Sequence, residues 1–143
     1  MLLTLSVHFY YFDEVIGPVE IFSEGEFSIE QEDIYLLLST TEPYSISPVS
    51  SMLGPSYMNE QVIFVYNRSI SNPDANDERL SLLGTDCWVV LTYPKDLEIV
   101  LLSKIELVKM ILDIEFEVID EISQITYDVC YRATNAIKNL YHE

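Results

Sequence analysis

The residues whose types and spacing could do chemistry in this chain are its acids, its two histidines and its two cysteines. Asp13 and Glu14 stand side by side in "FYYFDEVIGPVEIF", residues 9–22, where a carboxylate pair could act as general acid and base. Adjacent strand or turn residues point apart, however, and no second acid motif supports the pair. Both read as the polar tip of a hairpin. "NPDANDE", residues 72–78, sets Asp74, Asn76 and Glu78 at alternate positions, like part of a calcium loop. The glycine after the third ligand and the closing glutamate of such a loop are missing, so the segment reads as a turn held by Asn and Asp side chains. His8 lies inside an apolar strand segment and His142 is second from the end. Neither neighbours a nucleophile motif, so His8 is expected to be a structural histidine with its hydrogen bonds satisfied. Cys87 and Cys130 form no CxxC or Cys/His cluster, which points to two buried thiols in a reducing compartment rather than to zinc or a disulfide framework. Gly17, Gly25, Gly54 and Gly84 fit no phosphate-loop spacing. The expectation is a protein with no catalytic residues, no cofactor and no metal.

The balance of charge narrows the partners. The 143 residues carry a net charge of -17, and no Lys or Arg precedes Arg68 although ten acids do, from Asp13 to Glu60. Such a field repels phosphate, which argues against nucleic acid and against direct contact with an anionic membrane. It either coats an otherwise sticky protein or steers a basic partner surface toward it. With 49% hydrophobic residues the chain has material for one well-filled core, and its length suits a single domain over residues 1–143. The apolar start, "MLLTLSVHFYYFDE", lacks a basic leader and a small-residue cleavage site, and no run is long enough to span a bilayer, so a cytoplasmic location is expected.

These residues must be positioned by a mixed set of elements. "LLTLSVHFYYF" (2–12) alternates imperfectly, with Leu3, Leu5, Val7, Phe9 and Tyr11 on one face of a strand. "DEVIGP" turns the chain into a second strand, "VEIF". Ser28 stands three residues before Gln31, the spacing of a capping box, and opens a short helix that ends before Pro43. An edge strand follows around Ser47–Leu53, Gly54-Pro55 is expected to turn the chain, and "QVIFVYNR" (61–68) is the next strand. The polar loop 71–86 contains "ERLSLL", which has room for a helical turn. "CWVVLTY" (87–93) is apolar on both faces and belongs near the sheet centre. After Pro94 there is no Gly or Pro, and apolar residues recur at three and four from Val100 to Ile122, including Leu107, Val108, Leu112 and Val118. A helix can start at Asp96 or, with a Ser103–Glu106 box, at Ser103. A second stripe runs through Ile125, Val129, Arg132, Ala136 and Leu140, and a break near Glu121–Gln124 is favoured over one long helix. The sum is an α+β, two-layer arrangement: a five-stranded, mainly antiparallel sheet with helices. If the helices lie on one face, the other needs water, a further layer or a second subunit, which makes a homo- or heterodimer plausible.

The opening "VHFYYFDEVIGPVEIFS" resembles the first hairpin of longin domains, and the element order matches the longin order β-β-α-β-β-β-α-α across nearly the whole chain. The loop "NPDANDERL" before "CWVVLTYP" is similar to those of stand-alone longin-like and roadblock-like proteins, which are numerous in archaea close to eukaryotes. The resemblance implies a non-enzymatic platform that binds small GTPases, their regulators or trafficking machinery, often paired with another longin or roadblock subunit. It brings no catalytic residues. A small acidic secretion-chaperone-like dimer is the alternative, although such proteins usually open with a helix. An enzyme using the acid clusters is the least supported.

Overall fold

The computed structural model describes residues 5–38, 50–78 and 84–141. Its centre is a sheet of five strands: β1 (Ser6–Asp13), β2 (Gly17–Glu24), β3 (Ser50–Met58), β4 (Gln61–Ile70) and β5 (Thr85–Pro94), in the spatial order β2-β1-β5-β4-β3. All four pairings are antiparallel. β5 takes the central place that its two apolar faces demand, buried from Thr85 to Tyr93. The helices are α1 (Gln31–Leu38), the short α2 (Glu98–Leu102), α3 (Ile105–Glu117) and α4 (Tyr127–Tyr141). The expected α+β class and strand count therefore hold.

The pleat of the sheet divides the core in two. Val7, Phe9, Val62, Phe64, Tyr66, Cys87, Val89 and Leu91 face Leu101, Val108, Leu112, Phe116 and the inner side of α4. On the reverse, Tyr10, Ile63, Val65, Trp88 and Val90 meet Ile34, Leu37 and Leu38 of α1. Helices thus cover both faces, making three layers where two were expected. The face expected to need a cover receives one from within the chain, because α1 carries a three-residue apolar edge of its own. In β1–β2 the register slips between Phe9 and Tyr10, so that Phe22 pairs with Phe9 and their rings meet edge to face at 5.8 Å.

Several local expectations are corrected. The first helix opens at Gln31, later than a Ser28 cap would place it: the Ile34 amide donates to the Glu30 carbonyl, and the Gln31 side-chain amide donates to the Pro18 carbonyl of β2. Gly54-Pro55 does not turn the chain. β3 runs through it with a cis peptide and a shift in register, and the hairpin turn falls at Asn59-Glu60, both at positive φ. Gly54 sits at φ +140, with a notional Cβ only 2.8 Å from the Ile63 carbonyl oxygen, so β4 lies too close for any side chain there. The expected start of that strand at Ser47 and the "RLSLL" of the loop lie outside the described residues.

The Ser103–Glu106 box does not form. Ser103 closes α2, its hydroxyl donating to the Val100 carbonyl, and Lys104 precedes α3. The break between the long helices comes where expected, and it carries a real capping box: the Gln124 side chain accepts from the Glu121 amide and the Glu121 side chain from that of Gln124. On α4 the buried face is Cys130, Ala133, Thr134, Ile137 and Tyr141, rotated from the expected stripe. Arg132, placed in that stripe, points outward and pairs with Glu115 of α3 at 2.8 Å.

Candidate interaction surfaces

The hairpin tip is a junction. Asp13 ends β1 and its carboxylate accepts the Val15 and Ile16 amides at 3.0 and 2.9 Å, closing its own turn. Glu14 reaches away from it, to a segment some sixty residues downstream, and accepts the Asn76 and Asp77 amides at 3.1 and 2.9 Å. The two neighbouring carboxylates thus point to different partners, as adjacent residues should, and each is engaged by backbone donors. The far end of the same loop is held by Asn72, whose amide donates to Thr85 Oγ1 at 2.9 Å, and by the Ser71 carbonyl, which accepts from Ile122. Between tip and loop lies an open depression of about 270 Å³ lined by Phe12, Asp13, Glu14, Asp74 and Ile122 among others. Among the described residues no three His, Cys, Asp or Glu side chains gather as a metal site. Glu14→Ala should cost about 1 kcal/mol locally and speed amide exchange at Asn76 and Asp77 roughly fivefold or more, with the global melting temperature almost unchanged. Unaltered exchange at both amides would show that Glu14 does not tether the loop.

His8 is buried on the α1 side of the sheet beside Tyr10, and burial lowers its pKa to about 4, so it is neutral at physiological pH. The expectation was a histidine with its hydrogen bonds satisfied, but among the described residues its Nε2 finds no partner. Cys87 and Cys130 are both buried and unpaired in the core between the sheet and α4, and burial pushes both thiols up, that of Cys130 to about 12.

A polar cluster ties α3 to the β3–β4 edge. Asp113 Oδ1 accepts from Ser50 Oγ at 2.7 Å and from the Tyr66 hydroxyl at 2.6 Å, while Oδ2 pairs with Lys109 at 2.9 Å. Arg68 donates to the Tyr66 hydroxyl at 3.4 Å and lies 3.7 Å from Asp113. Burial raises the Asp113 carboxyl, but the hydrogen bonds from Tyr66, Ser50 and Lys109 outweigh it and hold the group below its usual range. Behind the cluster, Val108, Leu112 and Phe116 face the sheet, and the Phe116 ring stacks on Tyr66 at 5.8 Å.

The other side of α3 is the feature that sequence periodicity missed. Leu107, Met110, Ile114 and Val118, spaced three, four and four, all point outward. Met110 and Ile114 are more than half exposed and Val118 is 68% exposed, with Ile99 at 83% and Leu102 just upstream on α2. Leu107 and Val118, expected in the buried stripe, belong to this outer one. Other apolar exposures occur at Val15 and Ile16 on the hairpin tip, at Leu36 of α1, and at the stacked Tyr127 and Tyr131 rings of α4. The α2–α3 surface, with Ile99, Leu102, Leu107, Met110, Ile114 and Val118, has more of these exposed side chains than any of them. No helix among the described residues is long and apolar enough to cross a membrane.

No family model and no curated protein sequence matches the chain. Among solved structures, the Lst4 longin domain of K. lactis superposes with a TM-score of 0.58 at 11% identity, over 92% of this chain and 77% of that one. At that identity the shared property is the path of the backbone: five antiparallel strands, with α1 on one face and the C-terminal helices on the other, build a longin fold in this chain.

Proposed function

We propose that the protein is a non-enzymatic interaction module, a longin-type platform in the cytoplasm that holds a small GTPase or other trafficking machinery, alone or beside a second longin or roadblock subunit. One observation carries the proposal: α3 is apolar on its outward side as well as on its core side. A regularly spaced apolar run left exposed along a helix that already buries another apolar stripe marks a contact surface. The choice of a GTPase rests on likeness of fold and nothing finer. Affinity capture from native lysate, with and without a non-hydrolysable GTP analogue, tests it when the bait is compared with a Met110→Asp/Ile114→Asp variant. Both positions are exposed enough for the variant to fold. The unaltered bait should retain a partner that the variant loses, and a GTPase among the retained proteins should be enriched by the analogue. Identical retained sets on both baits and in both nucleotide conditions would contradict it.

A further inference from the structure

The surroundings of the outer α3 stripe define what can cover it. Glu106 and Glu117 flank the stripe on the same exposed side of the helix, and Asp120 is exposed just beyond Val118. Among the described residues no base pairs with any of these three. The cations nearby are committed elsewhere: Lys104 donates to the Leu140 carbonyl, Lys109 pairs with Asp113 and donates to Ser50, and Arg132 pairs with Glu115. The result is an apolar ridge bordered by uncompensated carboxylates, on a chain whose net charge is already -17. From Leu107 to Val118 the ridge is roughly 16 Å long, three turns of helix.

A second copy of the chain fits this surface poorly. Antiparallel pairing of α3 with its symmetry mate would set Glu106 of one copy beside Glu117 of the other, so the flanking contacts would add carboxylate to carboxylate. A complementary occupant has apolar side chains spaced at three and four and Lys or Arg along the one flank that meets Glu106 and Glu117, which stand eleven residues and about 20° apart on the helix. Resting on the interaction-module function above, we propose that the α2–α3 face docks a basic amphipathic helix of a partner protein. Its leucine-like residues interleave with Leu107, Met110 and Ile114, and its bases meet Glu106, Glu117 and Asp120. Apolar burial supplies the affinity, and the carboxylates set polarity and reject acidic helices, this chain's own α3 included.

Three labelled eighteen-residue peptides test the proposal by fluorescence anisotropy. One carries leucines at the 3-4-4 spacing with lysines along one flank, one replaces the lysines by glutamates, and one scrambles the lysine peptide. Only the first should saturate at micromolar protein, more weakly as salt rises. Met110→Asp and Ile114→Asp should each weaken it about tenfold or more, and Glu106→Lys/Glu117→Lys should flatten its salt dependence. Equal binding of the glutamate or scrambled peptide, or no saturable binding of the first, would overturn the proposal. So would a dimer in sedimentation equilibrium that Ile114→Asp dissolves, since a second copy would then be the occupant. If the peptides fail while lysate capture still depends on Met110 and Ile114, the basic helix falls and the interaction module stands. Failure of both removes both.

Discussion

Asp113→Ala should lower the unfolding free energy by about 2–3 kcal/mol, although its side chain is one-third exposed. The cost lies in what the substitution strands. Tyr66 is fully buried, and its hydroxyl would keep only the 3.4 Å contact from Arg68. Ser50 and Lys109 would lose the Asp113 acceptor as well, leaving the 3.2 Å Lys109–Ser50 bond to tie α3 to β3. Asp113→Asn keeps an oxygen for the two hydroxyls and should cost less than half as much. The account is checked by a double-mutant cycle with Tyr66→Phe. That change removes the stranded hydroxyl, so the two losses should couple by about 1 kcal/mol or more in urea denaturation. Strictly additive losses would show that the Tyr66–Asp113 bond contributes nothing.

Asp86→Asn should raise stability by about 3 kcal/mol at pH 7.5 and by almost nothing at pH 3.8. Asp86 is buried near the start of β5, and burial lifts its carboxyl to about 6, against the pull of the Asn67 amide that donates to it at 3.2 Å. A carboxyl raised above its unfolded value favours the fold below the unfolded pKa, and that benefit is lost as pH rises through 6. Asparagine keeps the acceptor for Asn67 without the buried charge. His8 works in the opposite sense over nearly the same interval. Its folded pKa of about 4 lies below the ordinary 6.5, so the fold loses about 3 kcal/mol as pH falls from 6.5 through 4. In the unaltered protein the two effects largely offset each other. Removing Asp86 should therefore expose a steep acid loss due to His8, seen in denaturation midpoints measured across pH 3.5–7.5. Parallel curves for the two proteins would contradict the Asp86 assignment, and a flat acid limb in the Asp86→Asn protein would contradict that of His8.

The strands and the order of elements were legible because they rest on local signals. "CWVVLTY" is apolar on both faces and so had to be central, and the hairpin at Asp13–Gly17 is framed by two β-rich runs and a glycine at φ +89. The β3–β4 turn was misplaced because Gly54-Pro55 is the stronger punctuation in sequence. The signal at Asn59-Glu60 is one Asn tolerant of positive φ. The phase of α4 was misjudged because its buried side includes small residues, Cys130, Ala133 and Thr134, which weigh little in a search for large apolar ones. The candidate surface was hidden for a related reason. Residues 105–118 are apolar at so many positions that periodicity alone selects no face, and only the position of the sheet shows that Val108, Leu112 and Phe116 go in while Met110 and Ile114 stay out. The grip of Glu14 on Asn76 and Asp77 has no local signature, since it joins segments some sixty residues apart.

The claim that the outer face of α3 holds the partner is tested most directly by site-specific photocrosslinking in native lysate. A benzophenone side chain is placed in turn at position 114 on α3, at 15 on the hairpin tip and at 57 on the edge strand β3, all three exposed in this fold. Position 114 should give a discrete crosslinked species that positions 15 and 57 do not. The same species from 15 or 57, with none from 114, would place the partner elsewhere and contradict the account.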